Sequence, residues 1–477
     1  MATLTDLMKA LPEPLETAHQ ARSSASMSEL SLRPVPVGRL RRMGLLGSLQ
    51  TKIAAAYVFY WIRGWFKSAA DKERLLAETH WRTAVRLLDS MSYLRGATMK
   101  AGQMLGNLPD IIPAEFVEAL ERLHFDAPPM HWSLLRELVC NELGDDPENR
   151  FASFDKRAFA AASLGQVHRA KLKTGQDAAV KIQYPGIART INEDFRNLFL
   201  FMLPAHLSAD WENTREQFED LRTRLERETD YLREAATLQK ARSLFRDDEG
   251  IVIPKVFPEY STERILTMER LEGMHLEQFL ATNPSQEVRN EYARKMLRAW
   301  YRMLYTGRML YADFHPGNFI FMEDGRLGII DFGCMVELDD SLWDLFRKMD
   351  RPLTTGRRDD RLAVMKEWSS IGDDPADADR LRVTEEYADW SWKARYCGGE
   401  YDFGDEADFR CGIDLFLEMV RKRYSRARPS TPMMARQHFG WWSMLYQLKA
   451  KVAIAPIAEE EVRATGWDRG DYAPIVA

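Results

Sequence analysis

The chain has little cysteine, no long apolar run and no strong net charge of either sign. Cys140, Cys334, Cys397 and Cys411 are scattered over 477 residues without a C-x-x-C pair. That argues against a disulfide framework or a thiolate zinc site and fits a reducing compartment. A spanning helix needs roughly 18–20 apolar residues. The longest apolar stretch, 53–62, is too short, so no transmembrane span is expected. A net charge of −6 leaves no basic footprint for nucleic acid as a partner. The first thirty or so residues are polar and mixed in charge, so no cleaved export signal is expected.

What is present is globular: 45% hydrophobic and 29% charged residues, enough for a sizeable core in one large or a few ordinary domains. Residues 1–37 are punctuated by Ser and Pro and read as a loosely ordered N-terminus. Residues 38–150 read as a helical extension, with helical patterning at 48–106, 114–123 and about 131–142. Within it, 39–67 is basic and aromatic. That composition suits either a peripheral contact with an anionic membrane surface or an ordinary core-facing helix.

From 151 the period changes from helix to strand. Runs at 151–160, 165–172 and 177–183 predict three strands. Helices are expected at 190–203 and 211–246, and strands at 251–257 and 264–269. After Gly273 the pattern is mainly helical, apart from a hairpin over 319–333. Loops at 354–360 and 372–379 and a basic linker at 425–432 interrupt it, before a last aromatic helix at 441–453. Strands early and helices late predict an α+β, two-lobed, protein-kinase-like fold. Its N-lobe is 151–273 and its mainly helical C-lobe 274–477.

The densest chemistry is Asp313-Phe314-His315-Pro316-Gly317-Asn318, followed by Asp331-Phe332-Gly333. A phosphoryl-transfer site needs hard oxygen ligands for Mg²⁺ and a carboxylate facing the acceptor. Asn318 and Asp331 are the candidate metal ligands and Asp313 the candidate catalytic carboxylate. The apolar run 319–322, the turn Glu323-Asp324-Gly325-Arg326 and the return 327–330 form a hairpin that sets Asn318 beside Asp331.

The nucleotide half lies upstream. Ala160-Ala161-Ala162-Ser163-Leu164-Gly165-Gln166-Val167 matches a glycine-rich phosphate flap with two glycines replaced by alanine. Alanine reaches fewer backbone conformations than glycine, so a stiffer flap and an altered nucleotide preference are expected. Val167 would stack on adenine. Lys181, closing Ala178-Ala179-Val180-Lys181, matches the lysine that bridges the α- and β-phosphates. Its acidic partner is one of Glu228, Asp230 or Glu234, which spacing does not separate. Met268 would lie behind the purine, with Glu269–Leu271 as the hinge. No Ala-Pro-Glu follows Gly333, and the segment before the next expected helix (341–350) is too short to dock a peptide.

At this point the chain resembles the UbiB/AarF-type atypical kinases, whose eukaryotic members support coenzyme Q synthesis. The motifs run from about 90 to 340. They are Met99-Lys100-Ala101-Gly102-Gln103 with Asp110, Pro113 and Pro128-Pro129, then the alanine-rich loop with Gly165-Gln166-Val167-His168. Lys181-Ile182-Gln183-Tyr184-Pro185-Gly186 follows, then Glu228-x-Asp230 with Arg233-Glu234-Ala235, and last Asp313-x-His315-Pro316-Gly317-Asn318. The resemblance implies that Glu234 pairs with Lys181. It also implies that Glu228 and Asp230 face Lys100, with Lys100, Gly102 and Gln103 on a lid over the site. The implied ligands are ATP or ADP with Mg²⁺, and the implied partner an isoprenoid lipid or quinone precursor. The implied location is cytoplasmic, peripheral at the inner membrane surface. Phe314 replaces a proline common in the family, and the C-terminal transmembrane pair of some bacterial members is not visible.

The expected function is an atypical kinase or ATPase that does not phosphorylate proteins. Two alternatives stand beside it: a small-molecule phosphotransferase of the aminoglycoside or choline kinase sort, and a nucleotide-gated, non-catalytic scaffold for lipid synthesis.

Overall fold

The computed structural model describes residues 130–188 apart from Ser163, parts of 215–229, then 230–245, 250–369, 378–422, 424 and 431–467. The segment 39–67, the helices expected before residue 130 and at 190–203, and Lys100, Gly102 and Gln103 lie outside the described residues.

The small lobe is built on an antiparallel sheet in the order β1 (Ser153–Ala162), β2 (Gly165–Lys171), β3 (Asp177–Gln183) and β5 (Ile265–Glu269). The two-residue strand β4 (Ile251–Val252) belongs to another sheet. Side chains alternate between the faces of a strand, so the register sorts this sheet cleanly. Ala160, Val167, Lys181 and Leu266 lie opposite one another in one row. They share a face with Ala179 and Met268, which join the main core. Ala178, Val180 and Ile182 point the other way and pack on Leu135 and Val139 of helix α1 (Trp132–Leu143). The small lobe's core therefore takes in residues from the segment before 151.

The single helix expected over 211–246 is broken at Thr229–Asp230. Asp230 turns into extended backbone and caps α2 (Tyr231–Arg242), its side chain accepting from the amides of Leu232 and Arg233. An aspartate competes with the backbone for these hydrogen bonds, which favours caps over helix interiors. The strand expected over 251–257 shrinks to β4. Pro254 cannot donate to a ladder, and beyond it Val256 makes only an isolated bridge to Met268.

The large lobe is organised by α3 (Gln286–Tyr305). Ser285 caps it, and Ala293, Met296, Leu297, Ala299, Met303 and Leu304 are buried along it. β6 (Met309–Tyr311) pairs with β9 (Met335–Glu337). β7 (Phe319–Phe321) and β8 (Leu327–Ile329) form the expected hairpin, with β4 parallel to β8. Helices α4 (Asp340–Thr355), α5 (Arg358–Ser369), α6 (Ala378–Tyr396) and α7 (Glu406–Arg421) follow. The loop expected at 354–360 is only the turn between α4 and α5, closed by Gly356 at φ 62°. The last aromatic helix, expected over 441–453, starts and ends earlier: α8 runs over Thr431–Leu448. Beyond it come β11 (Lys451–Val452), paired with β10 (Tyr401–Asp402), and α9 (Ile454–Ala464), which the sequence pattern did not reveal.

Candidate nucleotide and metal site

Lys181 leaves the cleft face of β3 and is buried, as is Glu234 on α2. Lys181 Nζ donates to both carboxylate oxygens of Glu234, at 2.7 and 2.8 Å, and lies 3.5 Å from Asp331 Oδ2. Of the three acidic candidates, the structure brings Glu234 alone to the lysine. Burial opposes the lysine's charge, but Asp331 and Glu234 outweigh it and hold Lys181 well above its ordinary range. Burial lifts the Glu234 carboxyl, with Lys181 pulling the other way. Lys181 also lies over the Tyr231 ring, 5.1 Å from its centre.

Asp230 and Glu228 are engaged elsewhere. Asp230 is the cap of α2, and the Cys334 thiol donates to Glu228 Oε1 at 3.0 Å. Arg227, Glu228, Arg233 and Cys334 line a cavity of about 220 Å³ on that side of α2.

The hairpin does what its sequence promises. Ile330 N–H donates to the Asn318 carbonyl at 3.1 Å, which sets Asp331 next to Asn318. The Asn318 amide nitrogen donates to the Asp313 carbonyl (3.0 Å) and to Asp313 Oδ2 (3.1 Å). With its NH₂ turned to Asp313, the Asn318 side-chain oxygen is the face left for a cation. Asp331 Oδ1 accepts from Gly333 N–H at 2.9 Å, and its Oδ2 faces Lys181. Among the described residues no cluster of three His, Cys, Asp or Glu side chains could hold a metal. An amide oxygen and a carboxylate are instead the hard, sparse donor pair that suits Mg²⁺, whose remaining positions are filled by phosphate oxygens and water. The residues present fit that ion.

The flap is the tip of the β1–β2 hairpin. Ala160 pairs with Val167, Ala161 with Gln166 and Ala162 with Gly165. Ser163, at the turn, lies outside the described residues. Gly165 has a steric reason to be glycine, since a Cβ there would sit 2.1 Å from the Ile182 carbonyl oxygen. Gln166 and His168 point to the back of the sheet. Gln166 brackets the backbone of Met130 through both ends of its amide, so that pair ties down the segment entering α1.

At the hinge, Met268 is buried at the back of the cleft. Glu269 N–H donates to the Lys255 carbonyl and Arg270 N–H to that of Asp177. Those two amides are engaged within the small lobe.

Sequence reasoning missed Tyr311, whose ring lies among Phe314, Phe319 and Phe332. The signal was readable: Asp313, Asn318 and Asp331 are each followed by Phe.

A small sheet with a buried lysine–glutamate pair, over a helical lobe that presents Asp313, Asn318 and Asp331, defines a protein-kinase-like fold. The ABC1 atypical kinase-like domain matches residues 122–359. The chain belongs to this family, the UbiB atypical kinases. It is 31% identical to the yeast (Saccharomyces cerevisiae) protein "Atypical kinase COQ8, mitochondrial", over 68% of this chain and 64% of that protein. It is 28% identical to "Atypical kinase COQ8B, mitochondrial" of Rattus norvegicus, over 90% of this chain and 81% of that one. A protein of Synechocystis named only as uncharacterized, sll1770, is 32% identical, and 51% of its length is spanned. The chain thus spans about half to two thirds of the yeast and Synechocystis relatives. A solved structure of Rv3197 from Mycobacterium tuberculosis, titled as a complex with erythromycin, shares the fold. Its TM-score is 0.52 at 23% identity, covering 83% of this chain and all of that one.

Proposed function

We propose that this chain binds ATP or ADP with Mg²⁺ between its lobes and acts as an ATPase or small-molecule kinase supporting ubiquinone or related isoprenoid-lipid metabolism. One observation carries the reading: Lys181 is gripped by both oxygens of Glu234 while it reaches Asp331, which adjoins Asn318.

In this reading Lys181 orients the α- and β-phosphates, and Glu234 fixes where its ammonium points. Asn318 and Asp331 hold Mg²⁺. When bound, the ion neutralises charge on the phosphates. Asp313, with its carboxylate steadied by the Asn318 amide, positions the attacking hydroxyl or water and accepts its proton. Ala160, Ala161, Ala162, Ser163 and Gly165 form the flap. Val167 and Met268 enclose the purine, and the Glu269–Leu271 hinge meets its edge. Positioning and fixed charge supply most of the rate in such a site.

The acceptor is not a protein. Directly after Cys334 the chain enters β9, which is paired to β6, and α4 begins at Asp340, so little chain is left on which a peptide could dock. The lid of Lys100, Gly102 and Gln103, facing Glu228 and Asp230, and a peripheral membrane contact through 39–67 complete the proposal. No helix among the described residues is long and apolar enough to cross a membrane.

The test is a thermal-shift titration with MgATP. A ligand at about 100 times its Kd stabilises by about 2.7 kcal/mol. Wild type gains this shift and Asp331→Asn loses it. An equal shift in both overturns the assignment.

A further inference from the structure

Behind the flap, two buried side chains of β2 form a chain of hydrogen bonds in which each partner dictates the next. His168 Nδ1 lies 2.8 Å from the Asp155 carbonyl oxygen. A carbonyl only accepts, so Nδ1 carries the proton and Nε2 of the neutral ring is left as an acceptor. Gln166 Nε2 lies 3.0 Å from that acceptor and is therefore its donor. The same NH₂ gives its other hydrogen to the Met130 carbonyl at 3.2 Å, and Gln166 Oε1 accepts from Met130 N–H at 2.7 Å. The ring thus fixes which way the amide faces, and only that way grips both ends of Met130.

The grip bears on the proposed phosphate flap. Gln166 faces Ala161 across the hairpin, next to Gly165, so its backbone is flap while its side chain is behind the sheet. There α1, which Met130 enters, packs through Leu135 and Val139 on Ala178, Val180 and Ile182 of the strand that carries Lys181. The latch therefore fastens the flap to the same support that backs the lysine.

We infer that Gln166 and His168 are positioning residues of the flap: together they pin its tip to Met130, and the pin holds only while His168 is neutral. A protonated imidazole carries a hydrogen on Nε2 as well. Facing the Gln166 NH₂, it makes the amide turn over. That sets NH₂ against the Met130 N–H and oxygen against the Met130 carbonyl, and the grip is lost. The imidazole packs on Phe154 of β1 and Trp132 of α1, with Val180 of β3 opposite, and none of these titrates. Burial holds His168 below its ordinary value, against the Asp155 carbonyl and carboxylate, which favour the proton. The inference rests on the nucleotide reading above, in which the flap covers the phosphates.

The test is Gln166→Met, which keeps the length of the side chain and removes the amide. MgATP affinity of the full chain is measured against pH for wild type and variant, together with amide hydrogen exchange of a peptide that contains Met130. Near neutral pH the variant is expected to bind MgATP about ten-fold more weakly, the worth of the two Met130 hydrogen bonds that binding must now replace. Its Met130 amide exchanges faster. As pH falls below about 6.5 toward the lowered value of His168, wild type weakens toward the variant and the gap closes. Titration of the nucleotide itself cancels in that ratio.

If wild type does not bind MgATP, the nucleotide reading fails and this inference fails with it. If wild type binds and Gln166→Met equals it near neutral pH, the inference alone is overturned. If Gln166→Met melts lower, the pH profile decides. A gap that closes toward acid upholds the latch. A gap that stays constant or widens assigns Gln166 to folding and overturns it.

Discussion

At the scale of the residue, Lys181 and Glu234 are each 5% exposed and face each other as an ion pair, with Asp331 also holding the lysine's charge. Removing one partner of a buried pair leaves an uncompensated charge, at a cost of about 3–5 kcal/mol, whereas replacing both with apolar groups is often nearly neutral. Lys181→Met is therefore expected to lose about that much in urea unfolding near neutral pH. Lys181→Met with Glu234→Leu should recover most of it. The pH dependence has a definite sign. Burial already raises the Glu234 carboxyl, and without the lysine it rises further. The deficit of the single variant should shrink as pH falls and Glu234 takes up a proton. A deficit that grows toward acid, or a double variant no better than the single, refutes the account.

At the scale of the element, the loop from Asp313 to Asn318 is positioned from two sides. The β7–β8 hairpin sets Asn318 against Asp331 from above. From below, α8 lies directly on the loop at Gly440. A Cβ there would come 2.8 Å from Phe314 Cβ and 3.0 Å from the Phe314 carbonyl oxygen. Backbone cannot swing aside as a side chain can, so Gly440→Ala must displace the helix or the loop. Overpacking of this kind costs about 1–3 kcal/mol. The variant should melt lower without ligand and also show a smaller MgATP shift, because Phe314 follows Asp313. Full retention of the shift would separate α8 from the site. This also accounts for Phe314: the loop sits in an aromatic setting of Tyr311, Phe319 and the α8 face, which a large apolar side chain fills.

At the scale of the whole molecule, the large lobe is closed by a layer built from residues outside the kinase-type motifs. Arg395 on α6 lies 3.2 Å from Glu459 of α9 and 3.6 Å from Asp350 of α4, all three buried. Arg302 of α3 donates to both oxygens of Glu461, at 2.9 and 2.7 Å. Beside this network, α8 packs Trp441 and Trp442 against Trp300 and Trp390. His438 lies among those rings. Its side chain is part-exposed, but its Nε2 is shut away without a partner, and burial alone pushes the imidazole down to about 3. An unfolded histidine titrates near 6.5, so the unfolded chain binds the extra proton between those values. The stability that depends on neutral His438 is full above about pH 6.5 and is lost as pH falls toward 3, at up to about 1.4 kcal/mol per unit. Acid unfolding of His438→Leu should be correspondingly flatter over that window. Identical acid limbs would show that the imidazole is hydrated in the folded state.

Much of this was legible in the chain because it was local. The three small-lobe strands followed from alternation, the hairpin from Asp324-Gly325, and the adjacency of Asn318 and Asp331 from that hairpin. The misses came where a single residue overrides a periodic pattern. Asp230 looked like one of three carboxylates on a helix and is instead the cap that starts a new one. Pro254 cut a seven-residue strand to two. Helix α9 and the buried charges around Arg395 gave no signal, since their partners lie on helices far apart in sequence.

By itself, the sequence determined the family and the polar groups the chain carries, because oxygen donors, a lysine and an alanine-rich turn are matters of residue type and short spacing. Only the tertiary structure decided which carboxylate holds Lys181, which way the Asn318 amide faces, and that Tyr311 stands among the three phenylalanines. Those are questions of distance and burial between segments that meet only when the chain folds.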